Sequence, residues 1–201
     1  AGRAIFKDDP PVPSATQGDS LAYRPLYIDP NAIMLEGTHP ATLDPDDLLR
    51  ECEFQFGRSG GPGGQHRNKV ETGARLVHLP SGLESKATER RQQQVNRAVA
   101  ISRLRLRLAL KVRTPTNRDR HRPSELWERR RQGTRLPVNP KHGDYPALLA
   151  EALDVIVARR WDVAGAARIL GVSMSQLSRL VNHHPPAFAM LNEGRASVGL
   201  P

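Results

Sequence analysis

The chain has 201 residues and carries 30 Lys and Arg against 21 Asp and Glu, for a formal net charge of +9. This length allows one or two small domains with cores of their own. Its one cysteine excludes an internal disulfide framework, and the lack of a run of about 20 apolar residues excludes a membrane span, so we expect a cytoplasmic protein without a membrane partner.

The positive charge is concentrated in the middle of the chain. Residues 51–143 carry 21 Lys and Arg against 8 Asp and Glu, whereas residues 1–50 carry 4 against 8 and residues 144–201 carry 5 against 5. This concentration favours a nucleic-acid partner, because phosphates supply most of the affinity in such complexes. A solvated basic surface without a partner is the alternative.

The N-terminal part is predicted to lack a fold until a first helix. Residues 1–43 are rich in proline and have no periodicity, so we predict an extended, partly disordered segment. Asp44 followed by Pro45 is typical of a helix N-cap and first helical residue. The alternation of polar and apolar residues from 51 to 56 then predicts a strand with one buried face, and Cys52 on its apolar side is expected to be buried and unreactive.

A glycine-rich stretch follows this strand. Residues 58–69 read RSGGPGGQHRNK, with four glycines and a proline at positions 60–64. Such a run excludes a helix or strand interior, and glycine removes the Cβ that would block a close partner. The pattern predicts a bare backbone loop with one amide, Gln65, at its tip and basic groups at its root. That loop could enter a crowded polyanionic cavity, although glycine and proline clusters are usually plain turns.

A small sheet and a long helix are predicted after the loop. Residues 74–79 and 83–87 read as strands separated by a turn, and a helix follows from about Glu89 to Val112. A helix packed on a small sheet is an α+β fold. The predicted apolar stripe of the helix comprises Ala98, Ile101, Leu104, Leu108 and Val112, and a neighbouring basic stripe comprises Arg103, Arg107 and Lys111.

The last third of the chain divides into a basic linker and a helical unit. Residues 113–143 are Arg-rich and interrupted by prolines, with a brief helix at 124–131 that we expect to form on binding. Residues 144–201 predict a three-helix unit with N-caps at Asp144, Asp162 and Ser173.

Part of the helical unit resembles a Fis-type helix-turn-helix, over residues 166–173 (AARILGVS). A DNA-binding interpretation places six side chains of the third helix in a major groove: Met174, Ser175, Gln176, Ser178, Arg179 and Asn182. Because the unit carries no net charge, we favour a docking module over DNA binding.

Three motifs together resemble the catalytic domain of class I peptide-chain release factors. They are residues 59–69 (SGGPGGQHRNK), residues 74–83 (ARLVHLPSGL), and residues 89–97, where ERRQ precedes Asn96 and Arg97. The resemblance covers roughly residues 46–112 and extends to the short ribosome-rescue members of the family. It implies a catalytic domain at 44–112 that hydrolyses the ester between peptide and tRNA inside the ribosome.

The resemblance also implies a chemistry that needs few protein groups. The backbone N–H of Gln65 would support the developing oxyanion and its side chain would shape the water site, while Gly63 and Gly64 permit the required backbone geometry. No cofactor is expected, and the seven histidines show no metal-ligand spacing. The candidate RNA-binding residues are Arg58, His66, Arg67, Asn68, Lys69, Arg90, Arg91, Arg103, Arg107, Lys111, Arg129, Arg130 and Arg131.

Residues 1–43 are too short and proline-broken to be a codon-reading domain, so the leading hypothesis is codon-independent hydrolysis of peptidyl-tRNA on stalled or damaged ribosomes. The expected partners are ribosomal RNA and peptidyl-tRNA, and the protein is expected to be a monomer. Two positions depart from the usual family pattern, Arg67 and Glu71. Two alternatives stay open: a non-enzymatic nucleic-acid-binding regulator that uses the helix-turn-helix, and an enzyme that acts on free peptidyl-tRNA.

Overall fold

A computed structural model describes residues 32–57 and 73–200. In chain order these residues form β1 (Ile33–Met34), a 3₁₀ helix (Pro40–Thr42), α1 (Pro45–Arg50), β2 (Cys52–Gly57), β3 (Gly73–His78), β4 (Leu83–Ala87), α2 (Gln93–Lys111), β5 (Val112–Arg113), α3 (Glu125–Arg130), α4 (Tyr145–Ala158), α5 (Val163–Ile169), α6 (Met174–Asn182) and α7 (Pro185–Ser197). The architecture is the α+β class that the sequence predicts.

The sheet has three antiparallel strands in the order β2-β3-β4. Phe54 pairs with Leu76, and Leu76 pairs with Ser85, so these three side chains share one face. Because side chains alternate along a strand, that face packs against α2, and Leu76 is completely buried there. The Ser85 hydroxyl donates to the Ala100 carbonyl at 2.7 Å and ties β4 to the helix.

The buried face of α2 differs from the predicted stripe. Its buried residues are Asn96, Ala100, Leu104, Leu108 and Ala109, whereas the predicted Ala98 is exposed. Asn96 belongs to the buried face because its amide donates to the Arg90 carbonyl and accepts from the Arg90 N–H, at 2.8 and 2.9 Å. A polar residue whose hydrogen bonds are satisfied can be buried at little cost, and an apolar pattern cannot reveal it.

Part of the segment expected to be extended is packed structure. β1 pairs in parallel with β5, through Ile33 with Val112. Ala41 in the 3₁₀ helix is fully buried, and His39, which caps this helix, is 6% exposed. Residues 32–43 therefore contribute to the core, because β5 gives the otherwise unpaired strand a partner; residues 1–31 lie outside the described residues.

The segment predicted as a basic linker also packs onto the core. Trp127 of α3 is completely buried and its indole N–H donates to the Leu170 carbonyl at 2.9 Å. Ser124 caps α3 by accepting from the Trp127 N–H. The expectation that this helix forms only on binding is wrong, because Trp127 supplies a buried anchor within the chain itself.

The C-terminal unit has four helices, one more than predicted. The Asp162 and Ser173 caps are confirmed by side-chain bonds to the N–H groups of Gly165 and Gln176, whereas Asp144 makes no such bond. The unpredicted helix is α7, whose interior contains Gly194. A Cβ at Gly194 would lie 2.1 Å from the Trp161 ring, so this glycine marks a close approach of helix and indole rather than a helix end.

α2 and α4 pack side by side and share one hydrophobic core with the sheet and with α5–α7. Among residues 32–57 and 73–200, no helix is long and apolar enough to span a bilayer. The same residues include no group of three or more His, Cys, Asp or Glu that could hold a metal ion.

Candidate functional site

The glycine-rich loop is attached where β2 ends at Gly57 and β3 begins at Gly73. The last pair of this hairpin is Gly57 with Gly73, and residues 58–72 connect the two. The predicted catalytic residues Gly63, Gly64 and Gln65 lie in that connection, outside the described residues, as do the predicted RNA-binding residues Arg58, His66, Arg67, Asn68 and Lys69. The structure thus describes the base from which the loop leaves the sheet.

The two glycines at the base have different surroundings. A Cβ at Gly73 would lie 2.8 Å from the Gly57 carbonyl oxygen and 3.2 Å from Cγ2 of Thr88. A Cβ at Gly57 would have no heavy atom within 4 Å. Glycine at position 73 therefore allows the strands to close tightly below the loop.

Aromatic and basic side chains meet next to this base. The Phe54 and Phe56 rings contact edge to face with 4.3 Å between centroids, and the Arg97 guanidinium lies 5.7 Å from the Phe54 centroid. Phe56 is 48% exposed, against the prediction of a buried face. β2 is an edge strand, so a residue at its end lacks a neighbouring strand on one side.

The outer face of the sheet has charges that balance one another. Arg75 forms an ion pair with Glu84 and donates to Oε1 of Gln55 at 2.9 Å. Lys86 lies 3.3 Å from Glu84. The hydrogen bond from Arg75 lowers the pKa of Glu84, with a smaller effect from Lys86. This face offers little unbalanced charge to a polyanion.

Two cations of the predicted basic stripe on α2 are used within the domain. Arg103 donates to the Lys86 carbonyl and to Oε1 of Glu89, both at 2.7 Å. Arg107 donates to the Glu84 carbonyl at 2.6 Å. Both residues therefore join α2 to β4 or its end, while Lys111 is exposed at the last turn of the helix.

The other predicted cations also differ in their environments. Arg90 and Arg91 are exposed near the start of α2, and Arg129 is exposed on α3. Arg130 donates to Asp144 at 2.8 and 2.5 Å, and Arg131 donates to Glu128 at 2.6 Å. Eight of the thirteen predicted RNA-binding residues are described, and four of these, Arg103, Arg107, Arg130 and Arg131, make contacts within the protein.

A buried histidine fixes the start of β2 and the end of β3. The His78 side chain is completely buried, with Nε2 3.0 Å from Oε2 of Glu51 and Nδ1 2.7 Å from Oγ of Ser81. Burial raises the pKa of the neighbouring Cys52 thiol to about 11, with a smaller effect from Glu51. The sequence predicts a buried Cys52, whereas the residue is half-buried. Its raised pKa leaves little of the reactive thiolate at neutral pH.

Sequence reasoning missed a polar junction at the far end of α2. The Arg113 guanidinium donates to the Ala109 and Leu110 carbonyls, which caps the helix, and lies 3.7 Å from Oδ1 of Asp154 on α4. Asp154 also accepts from the Thr114 hydroxyl at 2.6 Å. Burial raises the pKa of Asp154 to about 6, opposed by the Arg113 charge. The prolines and arginines around position 113 gave no signal of burial.

Arg105 makes a second connection at this junction, and it was not predicted either. Its guanidinium donates to the Ala41 carbonyl and to the Gly143 carbonyl, at 3.0 and 2.8 Å. Burial lowers the pKa of Arg105. The only sequence signal is its position, between the two arginines that bind β4.

Residues 44–139 match the sequence model of the family described as "RF-1 domain". This part of the chain belongs to the catalytic domain family of the class I release factors. The RF-1 domain includes the sheet, α2 and most of the Arg-rich segment, and residues 140–201 lie outside the match.

Curated relatives agree with this assignment. The chain is 44% identical over 54 residues to peptide chain release factor PrfB1, chloroplastic, from Arabidopsis thaliana, which is 27% of this chain and 12% of that protein. It is 45% identical over 62 residues to peptide chain release factor 1 from Dictyoglomus thermophilum, which is 31% of this chain and 16% of that protein. The chain thus spans under a fifth of the length of these relatives.

Proposed function

We propose that this protein hydrolyses the ester of peptidyl-tRNA on the ribosome, without reading a codon, through Gly63, Gly64 and Gln65. The observation that carries the proposal is the position of this tripeptide in the RF-1 domain. It lies in the connection between two strands that close tightly at Gly73.

The proposed mechanism gives the loop two tasks. The main-chain N–H of Gln65 donates to the oxygen that becomes negative as water attacks the ester carbon, and its side chain orients that water. Fixing the water and the ester together removes much of the entropic part of the barrier. The two glycines allow the main chain to approach without a Cβ. The ribosome supplies the remaining walls of the cavity.

The proposal of codon independence is supported by the extent of the match. The RF-1 domain match covers residues 44–139, and the adjacent residues 145–197 form α4–α7. Within residues 32–57 and 73–200, every helix and strand belongs to the RF-1 domain, to its N-terminal edge or to this helical unit. The structure thus describes no further element that could read a codon.

The test is peptide release from purified ribosome complexes that carry labelled peptidyl-tRNA. We expect the wild type to release peptide at similar rates with a stop codon, a sense codon or no codon in the decoding site. Gly64→Ala adds a Cβ that disturbs the backbone geometry aiming the Gln65 N–H, so it should reduce the rate by at least about a hundredfold, the usual effect of losing an oxyanion donor. Gln65→Ala keeps that N–H but removes the side chain that orients the water, so it should also slow release. Both variants should still sediment with ribosomes.

Three results would each reject part of the proposal. Full release by Gly64→Ala would reject the loop mechanism. Release only with a stop codon in place would reject codon independence and leave a codon-dependent termination activity. Activity on free peptidyl-tRNA at the same rate would reject the requirement for the ribosome.

The helical geometry also supports a second candidate, a nucleic-acid-binding regulator. α5 and α6 are joined by a turn at Gly171, which has a φ of +66°, and Met174 is 54% exposed at the start of α6. However, residues 134–136 lie across that start: the Ser173 N–H donates to the Thr134 carbonyl at 3.0 Å. The Leu136 N–H donates to the Gln176 side chain at 3.2 Å.

Residues 134–136 occupy space beside the first turn of α6, which leaves less room for that turn to enter a major groove. The two candidates are separated by comparing sedimentation with ribosomes against retention on duplex DNA at the same moderate salt concentration. Retention on DNA alone would favour the regulator.

A further inference from the structure

We propose that residues 117–122 form a pre-ordered arginine loop that binds the phosphate backbone of RNA through Arg118, Arg120 and Arg122. The loop lies between β5 and α3. None of these three residues is among the predicted RNA-binding residues. The proposal rests on the proposed function only for the choice of the ribosome as the RNA partner.

The loop is folded by its own residues. Oδ1 of Asn117 accepts from the N–H groups of Asp119 and Arg120, at 3.0 and 2.8 Å. This is an Asx turn, in which a side chain takes the place of a main-chain carbonyl. Pro115 and Pro123 stand on either side and restrict the backbone further.

The loop is also held against α4 on its inner side. Asp119 accepts from Arg159 at 2.6 Å, and Nε2 of His121 lies 3.0 Å from Oε1 of Glu151. Just after the loop, the Ser124 N–H and hydroxyl donate to Glu151 at 2.7 and 2.6 Å. The residues between the arginines are thus the ones that bind the helix.

The arginines themselves point to a ligand from outside the chain. Arg120 and Arg122 are exposed, and within the described residues their side chains make no hydrogen bond or ion pair. Arg118 is less exposed, and its Nε has no hydrogen-bond partner and lies 3.9 Å from Oδ1 of Asp119. Arg130 and Arg131, by contrast, are paired with Asp144 and Glu128.

The composition of the surface selects phosphate over protein. Protein interfaces have an apolar centre, whereas all large exposed apolar side chains of the described residues lie outside 113–143. The nearby carboxylates of Asp119 and Glu151 are already paired, and Glu125 at the start of α3 is the exposed exception. Guanidinium groups match phosphate oxygens in geometry and charge, and a loop ordered beforehand loses less entropy on binding.

The experiment compares two double variants of the full chain with the same change in charge. R120E/R122E removes two loop arginines, and R50E/R168E removes two exposed arginines elsewhere. Binding is measured over a range of salt concentrations, by anisotropy with a labelled A-form RNA duplex and by sedimentation with ribosomes. Thermal unfolding checks that each variant is folded, and R120Q/R122Q replaces R120E/R122E if that variant is not.

We expect R120E/R122E to bind RNA at least about tenfold more weakly, with the slope of log K against log salt reduced by about 2. R50E/R168E should change affinity by less than about twofold, because the contacts are local. Asn117→Ala keeps every charge but loosens the turn, so it should weaken binding by about threefold at an unchanged slope.

Equal losses in the two double variants, or no loss in R120E/R122E, would overturn the proposal. Unchanged affinity in Asn117→Ala would overturn the claim that the loop is ordered before binding, and binding to an acidic protein alone would overturn the choice of RNA. The release assay is independent. If Gly64→Ala loses release while R120E/R122E binds RNA as the wild type does, only the arginine-loop proposal is rejected. If R120E/R122E loses RNA binding while the wild type releases no peptide, only the proposed function is rejected.

Discussion

The two ends of the RF-1 domain are built in opposite ways. At the base of the glycine-rich segment the sheet ends in two glycines, and beside them Phe56 is half exposed. At the other end of α2, Arg113 and Asp154 are 2% and 6% exposed, and the Arg113 guanidinium lies 3.7 Å from Oδ1 of Asp154. Few side chains pack at the base of the glycine-rich segment, whereas several buried polar side chains bind one another at the junction around Arg113.

This difference separates two functions of the structure. Under the proposed function, a loop that enters a cavity of the ribosome would benefit from bare main chain. A helical unit held in a fixed position benefits from buried polar contacts, which are costly to break. The junction also explains why the Arg-rich segment packs on the chain: Thr114, His121 and Ser124 all bind carboxylates of α4. Removing side chains at each end should therefore have different consequences.

The largest effect is expected at Trp127, which joins α3 to the helical unit. Trp127→Ala should lower the free energy of unfolding by about 3–5 kcal/mol, because it removes a completely buried indole and leaves a cavity. Trp127→Phe keeps an aromatic ring but leaves the Leu170 carbonyl without its donor, so a loss of about 1–2 kcal/mol is expected. Urea denaturation measures both.

A loss below about 1 kcal/mol in Trp127→Ala would contradict the packed arrangement of this segment. It would restore the basic linker, with a helix that forms on binding, that the sequence predicts.

A pH effect of intermediate size is expected from His39 at the junction. Nδ1 accepts from the Ala41 N–H at 3.0 Å and Nε2 lies 3.2 Å from the Val112 carbonyl, so the neutral ring with its proton on Nε2 satisfies both. Burial lowers the pKa of His39 from 6.5 to about 4. Between pH 6.5 and about 4, His39 binds more protons in the unfolded chain than in the folded protein, so the free energy of unfolding falls as pH falls. At 1.36 kcal/mol per pKa unit the total loss is about 3 kcal/mol.

The matched variant is His39→Asn, since asparagine can also accept from the Ala41 N–H as an N-cap. The difference in unfolding free energy between wild type and variant should shrink as pH is lowered from about 6.5 to about 4. Asp154 has the opposite sign, because its pKa is raised to about 6, but its contribution is present in both proteins. A pH-independent difference would show that His39 is protonated without cost.

The smallest effect on stability is expected at the loop base, where two glycines form a natural control. Gly73→Ala places a Cβ 2.8 Å from the Gly57 carbonyl, and such overpacking costs about 1–3 kcal/mol. Gly57→Ala has open space, so a change within about 0.5 kcal/mol is expected, as for most surface substitutions. If the base positions the loop, Gly73→Ala should also slow peptide release more than Gly57→Ala does.

Equal stability of the two variants would contradict the tight closure at Gly73. Equal release rates with unequal stability would show that the loop is positioned by the ribosome instead.

Several elements follow from local patterns in the sequence. β4 occupies Leu83–Ala87 as predicted, and α5 and α6 begin at the predicted caps, because Asp162 and Ser173 satisfy N–H groups within three residues. The loop between β2 and β3 is recognised for a similar reason, since glycine runs exclude regular structure locally.

Other elements depend on partners that are distant in the chain. α2 buries Asn96 instead of Ala98, because the face of a helix is chosen by the sheet that it covers. Residues 32–43 pack because β5, about 80 residues later, offers a strand for β1. α7 tolerates Gly194 because the Trp161 ring occupies the space of its missing side chain.

The sequence by itself thus determined the family of the domain, its α+β class and the loop that carries the proposed chemistry. These depend on backbone torsions, caps and alternation, which act between neighbouring residues. Only the tertiary structure decided which arginines make contacts within the described part of the fold and which are exposed without a partner there. An exposed Arg120 and a paired Arg130 look the same in one dimension, and the carboxylate that distinguishes them lies on another segment of the chain.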